Sequence, residues 1–334
     1  MRVFISGIAG FLGSHLADRM LALGHEVIGV DSLIGGTLEN VPEDAEFHQI
    51  DCSYLNSMVK YTKGCDVLLH AACTAYEGLS VFSPHLVTQN TFQITSTLLS
   101  AAIQNKVRRF VFCSSMARYG MQEVLPFTED MVCRPQDPYG IAKYAAEKLI
   151  ENLCQVHGME YVICVPHNIV GPRQKYNDPY RNVASIMINL MRQGRQPVIY
   201  GDGMQKRCFS FVQDCVYCIE QLVTRDDVVG QIFNIGPDEE FVTINELAEL
   251  IADIMNFKLD PVYVADRPQE VKLAACSAEK ARRVLGYKTT VSLRDGLKQL
   301  AAYIESHGAK RFRYHLDLEI TNERTPRTWV DRFF

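Results

Sequence analysis

Tyr139 and Lys143, four residues apart in Pro-Tyr-Gly-Ile-Ala-Lys, are the pair in this sequence best suited to moving a proton. That spacing puts both side chains on one face of a helix opening after Asp137-Pro138. An ammonium beside a phenol favours the phenolate, and each unit by which the phenol falls from its ordinary value of about 10 is worth about 1.4 kcal/mol. Ser115, at the end of the strand-like run Val-Phe-Cys-Ser-Ser, can donate or relay a hydrogen bond at the same oxygen. Together the three suit acid–base chemistry at a carbonyl or an alcohol. Tyr-x-x-x-Lys alone is common on helices, so the surrounding elements must carry the argument.

A second constellation lies at the start of the chain. Gly7-x-x-Gly10-x-x-Gly13 sits between an apolar strand (residues 2–6) and an amphipathic helix (about Phe11 to Leu23). Glycine there permits a tight turn, lets backbone approach a pyrophosphate, and allows close packing of helix on sheet. The helix start then offers amide N–H groups and a positive dipole end to phosphates. Asp31 ends the second strand 18 residues beyond Gly13, where a carboxylate accepts from an adenosine ribose and repels a 2′-phosphate. Ser32 and Leu33 bring no cation, so the reading is NAD rather than NADP; a simple turn aspartate is the competing view. Asp51, after the third strand, is placed to meet the adenine edge.

The elements that must hold these groups alternate. Strand-like runs at 26–30, 66–70, 109–113 and 161–165 are separated by helical stretches near 88–105 and 139–157, the pattern of a parallel sheet covered on both faces. The expected fold is a Rossmann-type doubly wound parallel sheet with a smaller interleaved α/β substrate domain. Its NAD-binding part spans 1–166 plus about 207–236, with runs 208–212 and 231–235 as strands rejoining the first sheet. About 167–206 and 237–312 form the substrate domain, with helices at 243–256, 277–285 and 292–307. Residues 313–334 are a charged, aromatic tail without an assigned role.

A formal charge of −5 offers no basic field for nucleic acid, and Lys106–Arg109 and Lys280–Arg283 read as solvated helix ends. No run approaches the length of a membrane span, and glycines interrupt the one N-terminal apolar run that resembles a leader. A cytoplasmic protein is expected. The 11 cysteines are odd in number and scattered, so a disulfide framework is not expected. Cys215-x-x-Cys218 lacks a second ligand pair at zinc spacing, and no metal is expected.

Taken together, the chain resembles the extended short-chain dehydrogenase/reductase family, in its nucleotide-sugar epimerase and dehydratase branch, most like UDP-glucose 4-epimerases. The resemblance covers almost the whole chain. It is carried by Gly-Ile-Ala-Gly-Phe-Leu-Gly (7–13), His-Ala-Ala (70–72), Ser-Ser-Met-Ala-Arg-Tyr-Gly (114–120), Tyr-Gly-Ile-Ala-Lys (139–143) and Asn-Ile-Val-Gly-Pro-Arg (168–173). Gly-Asp-Gly-Met-Gln-Lys-Arg (201–207) and Arg-Pro-Gln-Glu (267–270) add to it. It implies that Gly7, Gly10, Phe11, Leu12, Gly13, Asp31, Asp51 and Cys52 hold NAD, with Ala71, Ala72, Asn90 and His167 along its path. Lys143 would also bond the nicotinamide ribose. Ser115 and Tyr139 would address the sugar hydroxyl, Met116, Asn168 and Asn182 would flank the substrate, Arg207 and Arg267 would pair with its diphosphate, and Glu270 would accept from its ribose. A packed core histidine remains the other reading of His167, and a surface ion pair that of each arginine. Asn177, Tyr180, Arg181 and Asn182 form a polar aromatic loop that can cover the substrate.

Absent residues narrow the reaction implied. The resembling 4,6-dehydratases carry an Asp–Glu pair after the position of Ser115, the decarboxylases a glutamate and the 3,5-epimerases a cysteine at that of Ala117; here Met116 and Ala117 transfer no proton. The resemblance thus implies a 4-epimerase acting on a UDP-sugar, with Ala274 leaving room for N-acetylated sugars, in a homodimer paired through the helices near 88–105 and 139–157. Alternatives are a uronate or deoxysugar epimerase, a net oxidoreductase, or a non-catalytic NAD-binding protein.

Overall fold

The computed structural model describes residues 1–334. In chain order its strands are β1 (Arg2–Ser6), β2 (Glu26–Asp31), β3 (Glu46–Gln49), β4 (Val67–His70), β5 (Arg109–Cys113), β6 (Glu160–Pro166), β7 (Ile169–Val170), β8 (Val198–Tyr200), β9 (Lys206–Arg207), β10 (Ser210–Phe211), β11 (Ile232–Ile235), β12 (Val242–Thr243), β13 (Val262–Val264) and β14 (Leu273–Ala274). The helices are α1 (Phe11–Ala22), α2 (Leu55–Tyr61), α3 (Glu77–Ser80), α4 (Pro84–Thr88), α5 (Ile94–Gln104), α6 (Pro138–His157), α7 (Val183–Arg192), α8 (Val212–Thr224), α9 (Ile244–Met255), α10 (Glu279–Leu285), α11 (Leu293–His307) and α12 (Arg327–Val330). None is long and apolar enough to cross a membrane.

Seven strands form one parallel sheet in the order β11-β6-β5-β4-β1-β2-β3. The chain runs outward from β1 through β2 to β3, then returns to β4 on the other side and continues outward. That reversal opens a crevice at the carboxyl ends of β1 and β4, where the loops diverge and a ligand can enter. Side chains alternate across the sheet, so β1 sends Val3 and Ile5 into one core with α1 and α8 and Phe4 into the other with α5 and α6. β5 does likewise, with Val111 and Cys113 on one face and Phe110 and Phe112 on the other. Both faces are buried, which is why these strands read as continuous apolar runs.

A third core stands apart from the sheet, built from α7, α9 and α11 through residues such as Met187, Ile188, Leu247, Ile251, Leu297 and Leu300. Capping chemistry sets two of these helices: Thr243 and Glu246 form a capping box on α9, and the Ser292 side chain accepts from Asp295 N on α11.

Several expectations need correction. Residues 231–235 do join the sheet edge beside β6, but 208–212 do not: β10 pairs with β7 in a separate two-stranded ladder, and Val212 already begins α8. The helix near 88–105 starts earlier, at Pro84, and a π turn at Gln89–Gln93 interrupts it. Arg109 is no solvated helix end. It is fully buried, and its guanidinium donates to the carbonyls of Leu222, Val223 and Arg225 at the end of α8, a C-cap supplied from a distant strand. Arg282 and Lys280 are likewise engaged, with Asp238 and with the Ile232 carbonyl. Cys215 and Cys218 are buried on α8 in the first core.

The tail is a built element. Glu319 accepts from the amides of His85 and Leu86 at the start of α4, and Ile320 N donates to Phe82 O. On the other side Tyr200 and Thr328 share a hydroxyl hydrogen bond, and Trp329 Nε1 donates to Pro179 O at 3.2 Å. The tail therefore straps the first sheet to the substrate side. Trp329, the one tryptophan, is 3% exposed and packs edge-on against Phe82 and Tyr180. Trp329→Ala should cost roughly 3–5 kcal/mol, read as a lower urea midpoint at unchanged slope; an unshifted midpoint would show that the strap carries no stability.

Candidate active site

The glycine turn after β1 is as tight as its sequence demands. Gly7 has φ of 76°, and a Cβ there would lie 2.8 Å from Ala72 Cα, while a Cβ on Gly13 would meet Gly7 O at 2.0 Å. The turn thus brings β1, α1 and the His-Ala-Ala segment into contact. His70 fixes that segment through a directed chain: Ala72 N donates to Ser6 Oγ, Ser6 pairs with His70 Nδ1 at 2.8 Å, and His70 Nε2 pairs with Thr95 Oγ1 at 2.9 Å. Because Thr95 Oγ1 itself donates to Thr91 O, Nε2 carries the ring hydrogen. Burial, then the nearby Lys143, holds His70 well below its ordinary pKa, so it is neutral.

The first amides of α1 have no intrahelical acceptor, and Gly10 caps the helix without a side chain. Asp31 accepts from Ala9 N at 3.1 Å and Leu33 N at 2.7 Å, and still has acceptor capacity. Burial raises its carboxyl, and those amides oppose the shift. A pyrophosphate at the helix start and a ribose at Asp31 fit this arrangement. Lys175, which no local reading of Ser32 and Leu33 suggests, reaches the Ile34 carbonyl at 3.2 Å beside this loop.

The catalytic candidates meet where α6 approaches the turn after β5. Asp137 caps α6 by accepting from Gly140 N at 2.9 Å, with Pro138 at the first helical position. A Cβ on Gly140 would lie 2.5 Å from Ala117 O, so glycine is what lets helix and turn touch. Lower on the helix, the buried Glu147 pairs with Arg118 at 3.1 Å and accepts from Ser114 Oγ. Ser115 caps the short turn Met116–Arg118 through Ala117 N at 3.2 Å. Lys143 Nζ, 1% exposed, donates to Cys113 O at 2.7 Å and lies 5.9 Å from the centre of the Tyr139 ring. Its other donors are left for a ligand. Burial pushes the Tyr139 phenol well above its ordinary value, Cys73 adds to this, and the Ser115 hydroxyl opposes it.

The glycine turn, Asp31 and the catalytic candidates line one cavity of about 460 Å³. Gly7, Gly10, Phe11, Leu12, Gly13 and Asp31 border one end, with Asp51, Cys52, Ala71, Ala72 and Asn90. Asn90 is carried by the π turn. Ser115, Tyr139 and Lys143 stand in the wall, and Asn168, Asn182, Arg207, Arg267 and Glu270 continue it. Four expected residues lie outside: Asn177, Ala274, which is buried in the second core rather than beside the sugar site, Met116 and His167. Met116 packs into the second core and meets Asn168 Nδ2 through its sulfur at 3.8 Å. His167 is a packed histidine, 1% exposed, with Nε2 on the Pro237 carbonyl at 3.0 Å.

Glu270 holds both expected diphosphate arginines. Arg207 Nη2 lies 3.1 Å from Oε1, and Arg267 Nη2 2.5 Å from Oε2. Arg207 also donates to the carbonyls of Lys206, Val271 and Lys272, and Arg267 stacks over Tyr200 at 4.7 Å. The wall also contains groups the motifs did not flag: Cys73, Glu77 and Asp137, and Phe334 from the tail. Glu77 sits on α3, open to the cavity but ringed by protein. Burial and the neighbouring Asp137 raise its carboxyl to about 7, against the pull of Arg207 and Arg267.

Matches to known proteins agree with this geometry. Residues 3–236 match the NAD dependent epimerase/dehydratase family. The UDP-glucose 4-epimerase of Mycolicibacterium smegmatis is 30% identical over 318 residues, covering 92% of this chain and 99% of its own length. The crystal structure of UDP-glucose 4-epimerase from Thermotoga maritima with UDP-glucose superposes with a TM-score of 0.87 at 30% identity, covering 92% of this chain and 99% of that one. That of UDP-glucuronic acid 4-epimerase from Bacillus cereus, with UDP-glucuronic acid and NAD, gives 0.86 at 26% identity, covering 92% and 100%.

Glu77 provides a test of the electrostatics. Its ordinary value is 4.5 and its folded value about 7, so the folded protein keeps a proton that the unfolded chain releases between them. Its contribution is full below pH 4.5 and is lost as pH rises through 7. Glu77→Gln should flatten the fall of melting temperature over that range; an unchanged slope would mean the carboxyl is not held neutral.

Proposed function

The chain belongs to the NAD dependent epimerase/dehydratase family, and from that premise we propose that it is a nucleotide-sugar 4-epimerase of the UDP-glucose/UDP-galactose type, with room for N-acetylated sugars. The observation that carries the reading is the convergence of Ser115, Tyr139 and Lys143 on one cavity, while Met116 and Ala117, the residues next to Ser115, bring no acid or base to it. The glycine turn, the first turn of α1 and Asp31 fit the cofactor's pyrophosphate and ribose. When bound, NAD supplies a reversible hydride acceptor at the sugar carbon.

In this reading Tyr139 takes the proton from the C4 hydroxyl and returns it, and Ser115 holds that oxygen by hydrogen bond. Lys143, with donors left beyond the Cys113 carbonyl, would hold the cofactor's ribose, and its charge favours the phenolate. Because the Tyr139 phenol is raised by burial, the cationic cofactor and Lys143 together must bring it into range. Arg207 and Arg267 tether the diphosphate and Glu270 accepts from the nucleotide's ribose, so that the 4-keto sugar can turn without leaving. The buried wall around Tyr139, 6% exposed, keeps water from the ketone.

UDP is the favoured nucleotide because the structures from Thermotoga maritima and Bacillus cereus hold UDP-sugars. Pairing of two copies through the α4–α5 run and α6 is part of the reading; Ile141 and Val156 on α6 are exposed at 53% and 68%, as an apolar helical interface would require. A cytoplasmic location is part of it too.

Proton NMR of the purified protein with UDP-glucose, UDP-N-acetylglucosamine and UDP-glucuronate in turn, without added cofactor, tests the activity. A second anomeric signal rising to a constant ratio, with no absorbance from reduced cofactor, is expected with at least one of them. Steady accumulation of reduced cofactor would instead make the protein a net oxidoreductase. Tyr139→Phe should lower the rate by about 10²–10⁴-fold while NAD binding persists; a fully active variant would remove Tyr139 from the chemistry.

A further inference from the structure

Three arginines stand on the cavity wall, and they are not equivalent. Arg207 and Arg267 are each tied to Glu270. Arg181 makes no ion pair or hydrogen bond with any protein group, and its Nε is buried without a partner. Its guanidinium lies over the Tyr76 ring at 4.8 Å, which supports one face and leaves the N–H edge open. The platform is rigid. Tyr76 Oη donates to Asp178 Oδ2 at 2.5 Å, and Tyr180 N donates to the other oxygen of Asp178 at 3.0 Å. Asp178 is therefore occupied, and it acts on Arg181 only from a distance.

The position of Arg181 separates it from the diphosphate arginines. Arg207 and Arg267 act on Glu77, whereas Arg181 acts on Tyr139 and Cys73. One of its terminal nitrogens lies 3.5 Å from where a Cβ on Gly35 would stand, in the loop after β2. It thus spans the space between the cofactor loop and the catalytic tyrosine. A partly buried guanidinium whose Nε has no partner is a site that a ligand anion completes. The flat fork of an arginine matches two oxygens of a carboxylate or a phosphate.

We infer that Arg181 is a receptor for an oxyanion of the bound ligand, between the Gly35 loop and Tyr139. Two sources present that chemistry here: the pyrophosphate of the cofactor, and a ring carboxylate on an acidic sugar nucleotide, which would make the substrate a uronate. The second source rests on the nucleotide-sugar reading of the cavity; the first does not.

Titration calorimetry on the full chain, freed of bound cofactor for the NAD titrations, separates them, using wild type, Arg181→Met and Arg181→Lys with NAD, UDP-glucose and UDP-glucuronate. Loss of about 10- to 100-fold in NAD affinity in Arg181→Met, partly restored in Arg181→Lys, assigns the site to the cofactor. The same loss confined to UDP-glucuronate, with UDP-glucose within about twofold, assigns it to the sugar carboxylate. Affinities within about twofold of wild type for every ligand that wild type binds overturn the inference. Should wild type bind neither UDP-sugar, the nucleotide-sugar reading falls, and the NAD titration alone decides the role of Arg181. Arg181→Gln gives the same comparison if the methionine variant does not fold.

Discussion

The approach of α6 to the turn after β5 is the contact on which the site depends. Gly140 lets the helix start reach the Ala117 carbonyl, and Glu147 draws Arg118 and Ser114 down onto the helix. Lys143 closes the arrangement on the Cys113 carbonyl. Three consecutive functions are set by that one seam: Ser115 at the turn, Tyr139 at the helix start, and Lys143 one turn along. Breaking a buried ion pair by removing one partner costs about 3–5 kcal/mol, so Glu147 and Arg118 hold the geometry although neither reaches the cavity. The raised carboxyl of Glu147, pushed by burial to about 7, shows that even this pair is imperfectly compensated.

The cavity divides into two ends by its charges. At the sheet's switch point the glycine turn, the start of α1 and Asp31 present amides and one carboxylate, a set matched to phosphate and ribose. At the far end Arg207, Glu270 and Arg267 form a chain of ion pairs on short strands and a loop. Tyr139 stands between them, and the C-terminal strap closes the side wall through Phe334, which packs on the cluster around Trp329. A substrate tethered at the far end by its diphosphate would carry its reacting carbon to the tyrosine, with room to turn.

Much of this was legible in the sequence, for identifiable reasons. The sheet strands are buried on both faces, so their apolar runs stand out, and the glycine turn and Tyr-x-x-x-Lys are local patterns whose chemistry follows from spacing. Failures came where meaning is not local. Residues 208–212 look like a sheet strand, but only Ser210 and Phe211 are extended, paired with β7, and Val212 already starts a helix. Arg109 looks like a surface charge until the end of α8 is folded over it. Met116 and His167 neighbour site residues in sequence, yet face the core. Glu77 carries no motif; it matters because α3 meets the cavity, whereas Tyr180, Arg181 and Asn182 of the expected covering loop do line it. The tail was opaque for a related reason: Trp329 finds its partners at Phe82 and Tyr180, and Thr328 at Tyr200, far away in the chain.

The central claim is that one cavity takes hydride from a sugar carbon and returns it to the same carbon's other face. The most direct test follows deuterium placed at C4 of whichever UDP-sugar turns over, with the protein in ordinary water. The account predicts that the epimer keeps its deuterium at C4 and that turnover of the labelled sugar is slowed. Deuterium lost to solvent would mean that C4 exchanges its hydrogen as a proton, and would contradict it.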